Sequence, residues 1–286
     1  MRTAFVLSGG AERGAAQAGM LLGLYEHGVT PDLLVGTSVG ALNAAFVASR
    51  PQTPATAGAL ARVWLGLRRA DAFPLCPRSL VRGLRRRGDH VVPDRGLRRL
   101  LDRHLGLRRL EDAAVPLHVV AYDVRGGEER LLSDGPAADA VLASAAVPGL
   151  LPPVRRDGAV LVDGGVVNNT PVSHAVALGA ERVVVLSTQP SRAAAVPPRG
   201  PIELALHAFT LLIGSRLEAD AARYAGRVEL LVIEAAGAGR VAPTDFTRAR
   251  ELVAAGLAAA RTSLAADPHL KETLSHARDQ PLIPVA

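Results

Sequence analysis

The stretch Asp32-Leu33-Leu34-Val35-Gly36-Thr37-Ser38-Val39-Gly40-Ala41-Leu42-Asn43-Ala44-Ala45 decides how the chain is read. Leu33 to Val35 is a short apolar run of the kind a buried strand shows. Gly-Thr-Ser-Val-Gly follows, a G-x-S-x-G pattern, and the small residues from Val39 to Ala48 then predict a helix. A serine held between strand and helix stands in a sharp turn. Gly36 and Gly40, two residues to either side, have no Cβ, so the two arms can approach and the Ser38 hydroxyl is pushed outward. The first amides of the helix face the serine, where a developing oxyanion would be stabilised. The pattern alone also fits an ordinary glycine-bordered turn; strand before and helix after are the context it requires.

Upstream, residues 3–8 read as a central strand, followed by Ser8-Gly9-Gly10-Ala11-Glu12-Arg13-Gly14 and a helix from Ala15 to about His27, stopped by Gly28. A strand, glycine loop and helix also describe a nucleotide site. A P-loop needs Lys and then Ser or Thr after its last glycine, whereas Ala15-Ala16 stand here, and the spacing G-G-x-x-x-G differs from the dinucleotide G-x-G-x-x-G. Free amides at a helix start suit an anion. With a nucleophilic serine one element later, the anion to expect is an oxyanion.

The whole chain sets the bounds. With 286 residues and 49% hydrophobic content it can build one large α/β domain or two small ones around a sizeable core. Aromatic content of 3% disfavours a base-stacking surface, so no nucleic acid is expected. Cys76 is the only cysteine, which excludes an intrachain disulfide and a cysteine metal cluster. The net charge is +6, carried almost wholly by arginine, with Lys271 the only lysine. No signal-peptide pattern opens the chain, and no apolar run approaches the ~18 residues of a membrane span. A soluble, cytoplasmic protein is the default expectation.

Further along, residues 55–67 read as a helix. From 68 to 112 arginines crowd, at positions 68, 69, 78, 82, 85, 86, 87, 95, 98, 99, 103, 108 and 109. Within this lies a predicted helix from Asp94, a candidate N-cap, to Leu105, with Leu97, Leu100, Leu101 and Leu105 on one face and Gly106 beyond. The arginines read equally as a solvated face or as a basic surface for phosphate head groups, which would place the protein peripherally at an anionic inner membrane face. Pro116 to Asp123 and Glu129 to Ser133 read as a hairpin, and Pro136 opens a small-residue helix through Ala145. Ala159 to Val162 is a strand ending in Asp163-Gly164-Gly165, then a helix ends near Gly179. Arg182 to Ser187 is a strand, 190–201 a Pro-rich loop, Ile202 to Tyr224 a helix and Val228 to Ile233 a strand. Pro243-Thr244-Asp245-Phe246 starts the last helix. Alternating strands and helices imply a mostly parallel sheet covered on both faces.

An acyl-transfer serine needs a base. Asp163, at a strand end with two glycines behind it, puts a carboxylate at the same sheet edge as Ser38. Nucleophile, base and amide-rich loop are the three parts of an acyl hydrolase, although D-G-G is also a common turn.

Together these motifs resemble the bacterial patatin-like phospholipases. The family's G-G-G-x-R/K-G loop is matched by Gly9 to Gly14, its G-x-S-x-G by Gly36 to Gly40, and its D-G-G by Asp163 to Gly165, followed by Asn168-Asn169 and Pro171. Ala143-Ser144-Ala145-Ala146-Val147-Pro148 and Pro243-Thr244-Asp245-Phe246 resemble two more family segments. The resemblance implies a three-layer patatin-like α/β fold, with 1–286 a single acyl hydrolase domain and 68–112 an arginine-rich insertion. It implies a lipid acyl hydrolase that uses no metal or organic cofactor. Ser38 would attack a fatty-acyl ester, Asp163 would take its proton, and an acyl-enzyme would follow. The amides of Gly9, Gly10 and Ala11 would form the oxyanion hole, supported by Arg13, Gly14, Gly36, Gly40, Gly164 and Gly165. Arg13 would brace its loop or meet a lipid phosphate. Ala11 departs from the family's third glycine; if that position has φ > 0, alanine costs about 1 kcal/mol or more. Two other readings stand beside this one. One is a Ser-Asp-His triad of the α/β-hydrolase kind, drawing on His174, His207, His269 or His276. The other is a catalytically weak membrane-surface or interaction module on the same fold.

Overall fold

Three apolar runs form the middle of the sheet. β1 (Thr3–Leu7), β2 (Leu33–Thr37) and β7 (Arg182–Ser187) are buried at every residue, as unbroken apolar strands must be when both faces are covered. The structure, a computed structural model, describes residues 1–74, 88–189, 216–235 and 245–267. The remaining strands are β3 (Leu117–Asp123), β4 (Glu128–Leu132), β5 (Val154–Arg156), β6 (Ala159–Asp163) and β8 (Glu229–Glu234). They make one eight-stranded sheet in the order β5-β6-β3-β2-β1-β7-β8, with β4 also paired to β3.

The run β3-β2-β1-β7-β8 is parallel, while β4 and β6 lie antiparallel to β3 and β5 antiparallel to β6. Register explains how the site is assembled. Thr37 of β2 is opposite Val120 of β3, and Asp163 of β6 is opposite Ala121, the next residue. Because β4 occupies the other edge of β3 over Val119–Asp123, β2 and β6 share one edge. They run toward each other and end head to head.

Alternating side chains bind a layer of helices to each face. Phe5, Leu7, Leu34, Val184 and Leu186 belong to a core with α1 (Gly14–Glu26), α2 (Val39–Ala48), α3 (Pro54–Gly66) and α8 (Ala249–Ala266). α4 (Arg69–Ala72), α5 (Arg95–His104) and α6 (Ala137–Ala145) flank the same side. Ala4, Val6, Leu33, Val35, Val183 and Val185 pack on the other face against α7 (Val172–Ala177) and against Leu217 and Tyr224 of a helical segment at 216–224.

Expected elements appear close to their predicted bounds, with particular differences. Asp94 holds the N-cap position of α5 but its side chain makes no cap hydrogen bond; its carboxylate is 3.7 Å from Arg98 instead. The three-residue strand β5 carries too short a pattern to be seen in the sequence. The last helix is preceded by a 3-10 turn at Phe246–Arg248. Arg78, Arg82, Arg85, Arg86, Arg87, Cys76, the 190–201 loop, most of the predicted 202–224 helix, Pro243, Thr244, His207, His269, His276 and Lys271 lie outside the described residues.

Candidate active site

Ser38 occupies the turn between β2 and α2 with φ 55° and ψ −123°, a backbone conformation few non-glycine residues adopt and one that neighbours must enforce. Two contacts do so. A Cβ on Gly40 would lie 2.0 Å from the Leu7 carbonyl oxygen, and one on Gly36 would lie 2.7 Å from the Ala41 backbone. Only glycine therefore lets the start of α2 settle onto the ends of β1 and β2. Ala41 and Leu42 close the turn by donating their N–H groups to the Ser38 carbonyl at 2.9 and 3.2 Å.

The Ser38 hydroxyl donates to Asp163 Oδ2 at 2.7 Å. The other carboxylate oxygen accepts the Gly165 N–H at 2.7 Å, and the Asp163 N–H is held by the Ala146 carbonyl at 2.9 Å. Asp163 is 5% exposed. Burial pushes its carboxyl up from 3.8 to about 6, against the opposing hydrogen bonds from Ser38 and Gly165. Gly164 and Gly165 form a buried 3-10 turn directly behind it.

The loop Gly9–Gly14 lies across the end of β2. A Cβ placed on Gly9 would be 3.1 Å from the Ser38 Cβ, so this loop and the serine are in contact. Ala11 has φ 49°: the position does require the left-handed backbone that a glycine would adopt freely. The Gly9 N–H is donated to the Asn169 carbonyl at 3.0 Å. This corrects the expectation that it would serve an oxyanion; Gly9 supplies space and an anchor. Among the described residues no hydrogen bond takes the N–H of Gly10 or Ala11. Gly14 begins α1, and Asn43 of α2 donates to its carbonyl at 2.9 Å. Arg13 does not enter the cleft beside Ser38. It lines a small crevice with Ser187, Thr188, Gln189 and Leu252, with its Nε 3.9 Å from Glu12.

A cleft of about 140 Å³ opens at Ser38 and Ala11. Its walls are almost wholly apolar: Phe46 from α2, Trp64 from α3, Phe73 after α4, Leu97, Leu100 and Leu101 from α5, Val147 and Leu151 after α6, and Phe246. The leucine face of α5 thus covers the cleft, while Arg95, Arg99 and Arg103 of the same helix are exposed.

Two further residues hold the site and carried weak signals in the sequence. Ser144 donates to the Val120 carbonyl at 2.6 Å and accepts the Ser38 N–H at 2.8 Å; only its place in a family-like segment marked it. Asn169 donates through Nδ2 to the Gly9 carbonyl at 3.1 Å, tying the loop after Asp163 to the loop before α1. No histidine among the described residues hydrogen-bonds Ser38 or Asp163. His174, the described member of the triad reading, has Nε2 2.6 Å from Glu129. His104 lines the cleft, and burial, then the charges of Arg103 and Arg50, holds its imidazole below the usual value. Among the described residues no group of three or more His, Cys, Asp or Glu is placed to hold a metal ion.

A three-layer α/β sheet with an elbow serine, a buried carboxylate on its hydroxyl and an apolar cleft beside them is the kind of arrangement on which serine acyl hydrolases are built. Comparison with known proteins narrows the class: residues 5–176 match the family described as Patatin-like phospholipase. The chain belongs to the patatin-like phospholipase family. It is 30% identical over 191 residues to patatin-like phospholipase domain-containing protein 7 of Mus musculus, across 64% of this chain and 13% of that protein. Protein 6 of the same series from Homo sapiens is 31% identical over 185 residues, again 64% and 13%. An uncharacterized NTE family protein of Mycobacterium tuberculosis is 33% identical over 174 residues, 59% of this chain and 27% of that one. The aligned chain therefore spans only a small part of these relatives' length. Among solved structures, VipD from Legionella pneumophila superposes with a TM-score of 0.50 at 16% identity, over 93% of this chain and 67% of that one, a likeness of fold.

Proposed function

We propose that this protein is a serine acyl hydrolase that cleaves fatty-acyl ester bonds of phospholipids or related lipids through a Ser38–Asp163 dyad. The observation that carries the reading is the 2.7 Å hydrogen bond from the Ser38 hydroxyl to Asp163 Oδ2 at the mouth of an apolar cleft. Asp163 accepts the hydroxyl proton as Oγ attacks the ester carbonyl. Its raised carboxyl is a better base than an exposed aspartate and is still largely ionised at neutral pH. The Gly10 and Ala11 amides receive the oxyanion. The alcohol leaves with the proton that Asp163 took, and water, deprotonated by the same carboxylate, releases the acyl group from Ser38. The acyl chain lies in the cleft against Phe46, Trp64 and the α5 leucines, where its methylenes leave water at about 0.8 kcal/mol each. The backbone N–H of Arg13 closes the oxyanion loop by donating to the Gly10 carbonyl at 3.1 Å.

The exposed arginines of α5 stand outside this cleft, and Val147 on its wall is 40% exposed. Apolar rim and positive charge together suit an anionic lipid surface. Arg98 is paired with Asp139 at 2.9 Å and Arg109 with Glu111 at 2.5 Å, so among the described residues of α5 Arg95, Arg99 and Arg103 are the groups for such contact. The test is mass-spectrometric measurement of fatty acid released from phospholipid vesicles. Release should be faster from anionic than from neutral vesicles, should fall as salt rises, and should vanish in Ser38→Ala. Release undiminished in Ser38→Ala contradicts the reading; equal rates on both vesicle types return the arginines to a solvated face.

Ala11 supplies a second expected outcome. Its φ of 49° costs about 1 kcal/mol relative to glycine, so Ala11→Gly should match or exceed wild-type turnover on a short-chain ester. A tenfold fall, about 1.4 kcal/mol, in a protein of unchanged stability would mean that the methyl is fitted to the substrate.

A further inference from the structure

Glu129 lies on β4, opposite Tyr122 of β3, remote in sequence from every motif discussed above. Three donors converge on its carboxylate. Asn168 Nδ2 donates to Oε1 at 2.6 Å and His174 Nε2 is 2.6 Å from the same oxygen. Arg216 is 3.6 Å from Oε2 and donates another N–H to the Val167 carbonyl. Burial would raise the Glu129 carboxyl, but the hydrogen bonds from His174 and Asn168, with the charges of His174 and Arg216, hold it below the usual value. The carboxylate is therefore ionised at neutral pH and binds its donors strongly.

What it clamps is the loop that joins the parts of the site. Asn168 accepts the Thr37 hydroxyl on its carbonyl at 2.9 Å, and Thr37 immediately precedes Ser38. Asn169 brackets Gly9, accepting its N–H and donating to its carbonyl at 3.0 and 3.1 Å. At the near end of the same loop Gly165 donates to Asp163. Residues 163–169 thus touch the base, the residue before the nucleophile and the oxyanion loop. Glu129 anchors 167 and 168 from the opposite side of that loop.

We propose that Glu129 is a positioning residue for the acyl-transfer centre: through Asn168 and Arg216 it sets the loop that aligns Asp163 and Gly9 with Ser38. The inference rests on the dyad reading above. It predicts a loss confined to the chemical step, because the apolar cleft does not touch Glu129, and displacements near 1 Å cost about a hundredfold in rate.

The experiment compares wild type with Glu129→Ala, Glu129→Gln, Glu129→Asp and the control Glu128→Gln, whose exposed carboxylate pairs with Arg130. Three quantities are read on each: kcat and KM on one p-nitrophenyl ester, the rate of fluorophosphonate labelling at Ser38, and the affinity for a fluorescent fatty acid. In Glu129→Ala, kcat and labelling rate should fall together by about ten- to a hundredfold, with fatty-acid affinity and KM within about twofold. Glu129→Gln keeps an acceptor for Asn168 and should recover most of the loss. If Glu129→Ala does not fold, Glu129→Asp decides, its shorter reach lowering kcat at least about threefold. A folded Glu129→Ala or Glu129→Asp with wild-type kcat overturns the proposal, as does a fatty-acid affinity that falls in step with kcat. Ser38→Ala in the same assays separates the two claims. If it keeps activity the dyad reading fails; if it loses activity while the Glu129 variants keep theirs, only the positioning role fails.

Discussion

Asp163→Asn is expected to abolish acyl-ester hydrolysis nearly as fully as Ser38→Ala, by about a thousandfold or more. The Asn carbonyl oxygen can keep the Gly165 N–H that Asp163 Oδ1 accepts at 2.7 Å while its NH2 faces the Ser38 oxygen, so the side chain can stay in place. It cannot take the proton away. In a triad the aspartate would only orient a histidine, and that histidine would be indispensable. Here the carboxylate meets the serine directly. His174 is engaged with Glu129 at 2.6 Å, and replacing it should cost less than about tenfold, since Asn168 and Arg216 still hold Glu129. His207, His269 and His276, outside the described residues, are expected to be replaceable as well. The losses from Ser38→Ala and Asp163→Asn should not add in the double variant, because the two groups act as one unit. A single histidine replacement that costs a thousandfold in a folded protein contradicts the dyad.

The same carboxylate should leave its mark on stability. Burial raises Asp163 from 3.8 to about 6, so between those values the folded protein holds a proton that the unfolded chain has lost. Stability from this group is fully present below about pH 3.8 and is lost as pH rises through about 6, by on the order of 3 kcal/mol. Asparagine does not titrate. The stability of Asp163→Asn relative to wild type should therefore rise across that window and level off above pH 7, whatever its offset at low pH. Denaturant unfolding of both proteins at pH 4, 5, 6 and 7.5 measures it. A pH-independent difference would mean that Asp163 is not desolvated in the folded state. Inactivity together with a relative stability that rises with pH is the behaviour expected of a site whose charge is held at a cost.

The elbow was legible because its own signals are local: an apolar strand before Ser38, small residues after it and two glycines at fixed offsets. Asp163 was legible as a carboxylate at a strand end. The direction of that strand was not. β6 runs antiparallel to β3 and meets β2 end to end, an arrangement made through a third strand, β3, that no local period encodes. For the same reason the glycine loop before α1 was legible while the partner of the Gly9 amide, the distant Asn169 carbonyl, was not. The leucine face of α5 was plain in the sequence, yet nothing there said that it roofs the cleft. Ser144 and Glu129 are ordinary residues in ordinary segments; their meaning comes from what they touch. The left-handed backbone at Ala11 could be posed from the family pattern as a condition, and φ of 49° meets it.

The central claim is that Ser38 is an activated nucleophile, and covalent labelling tests it most directly. Wild-type protein treated with a fluorophosphonate and digested should carry the adduct on the peptide containing Ser38. Labelling should be lost in Ser38→Ala and strongly slowed in Asp163→Asn. An adduct on another residue with Ser38 unmodified, in protein that still hydrolyses esters, would contradict the account.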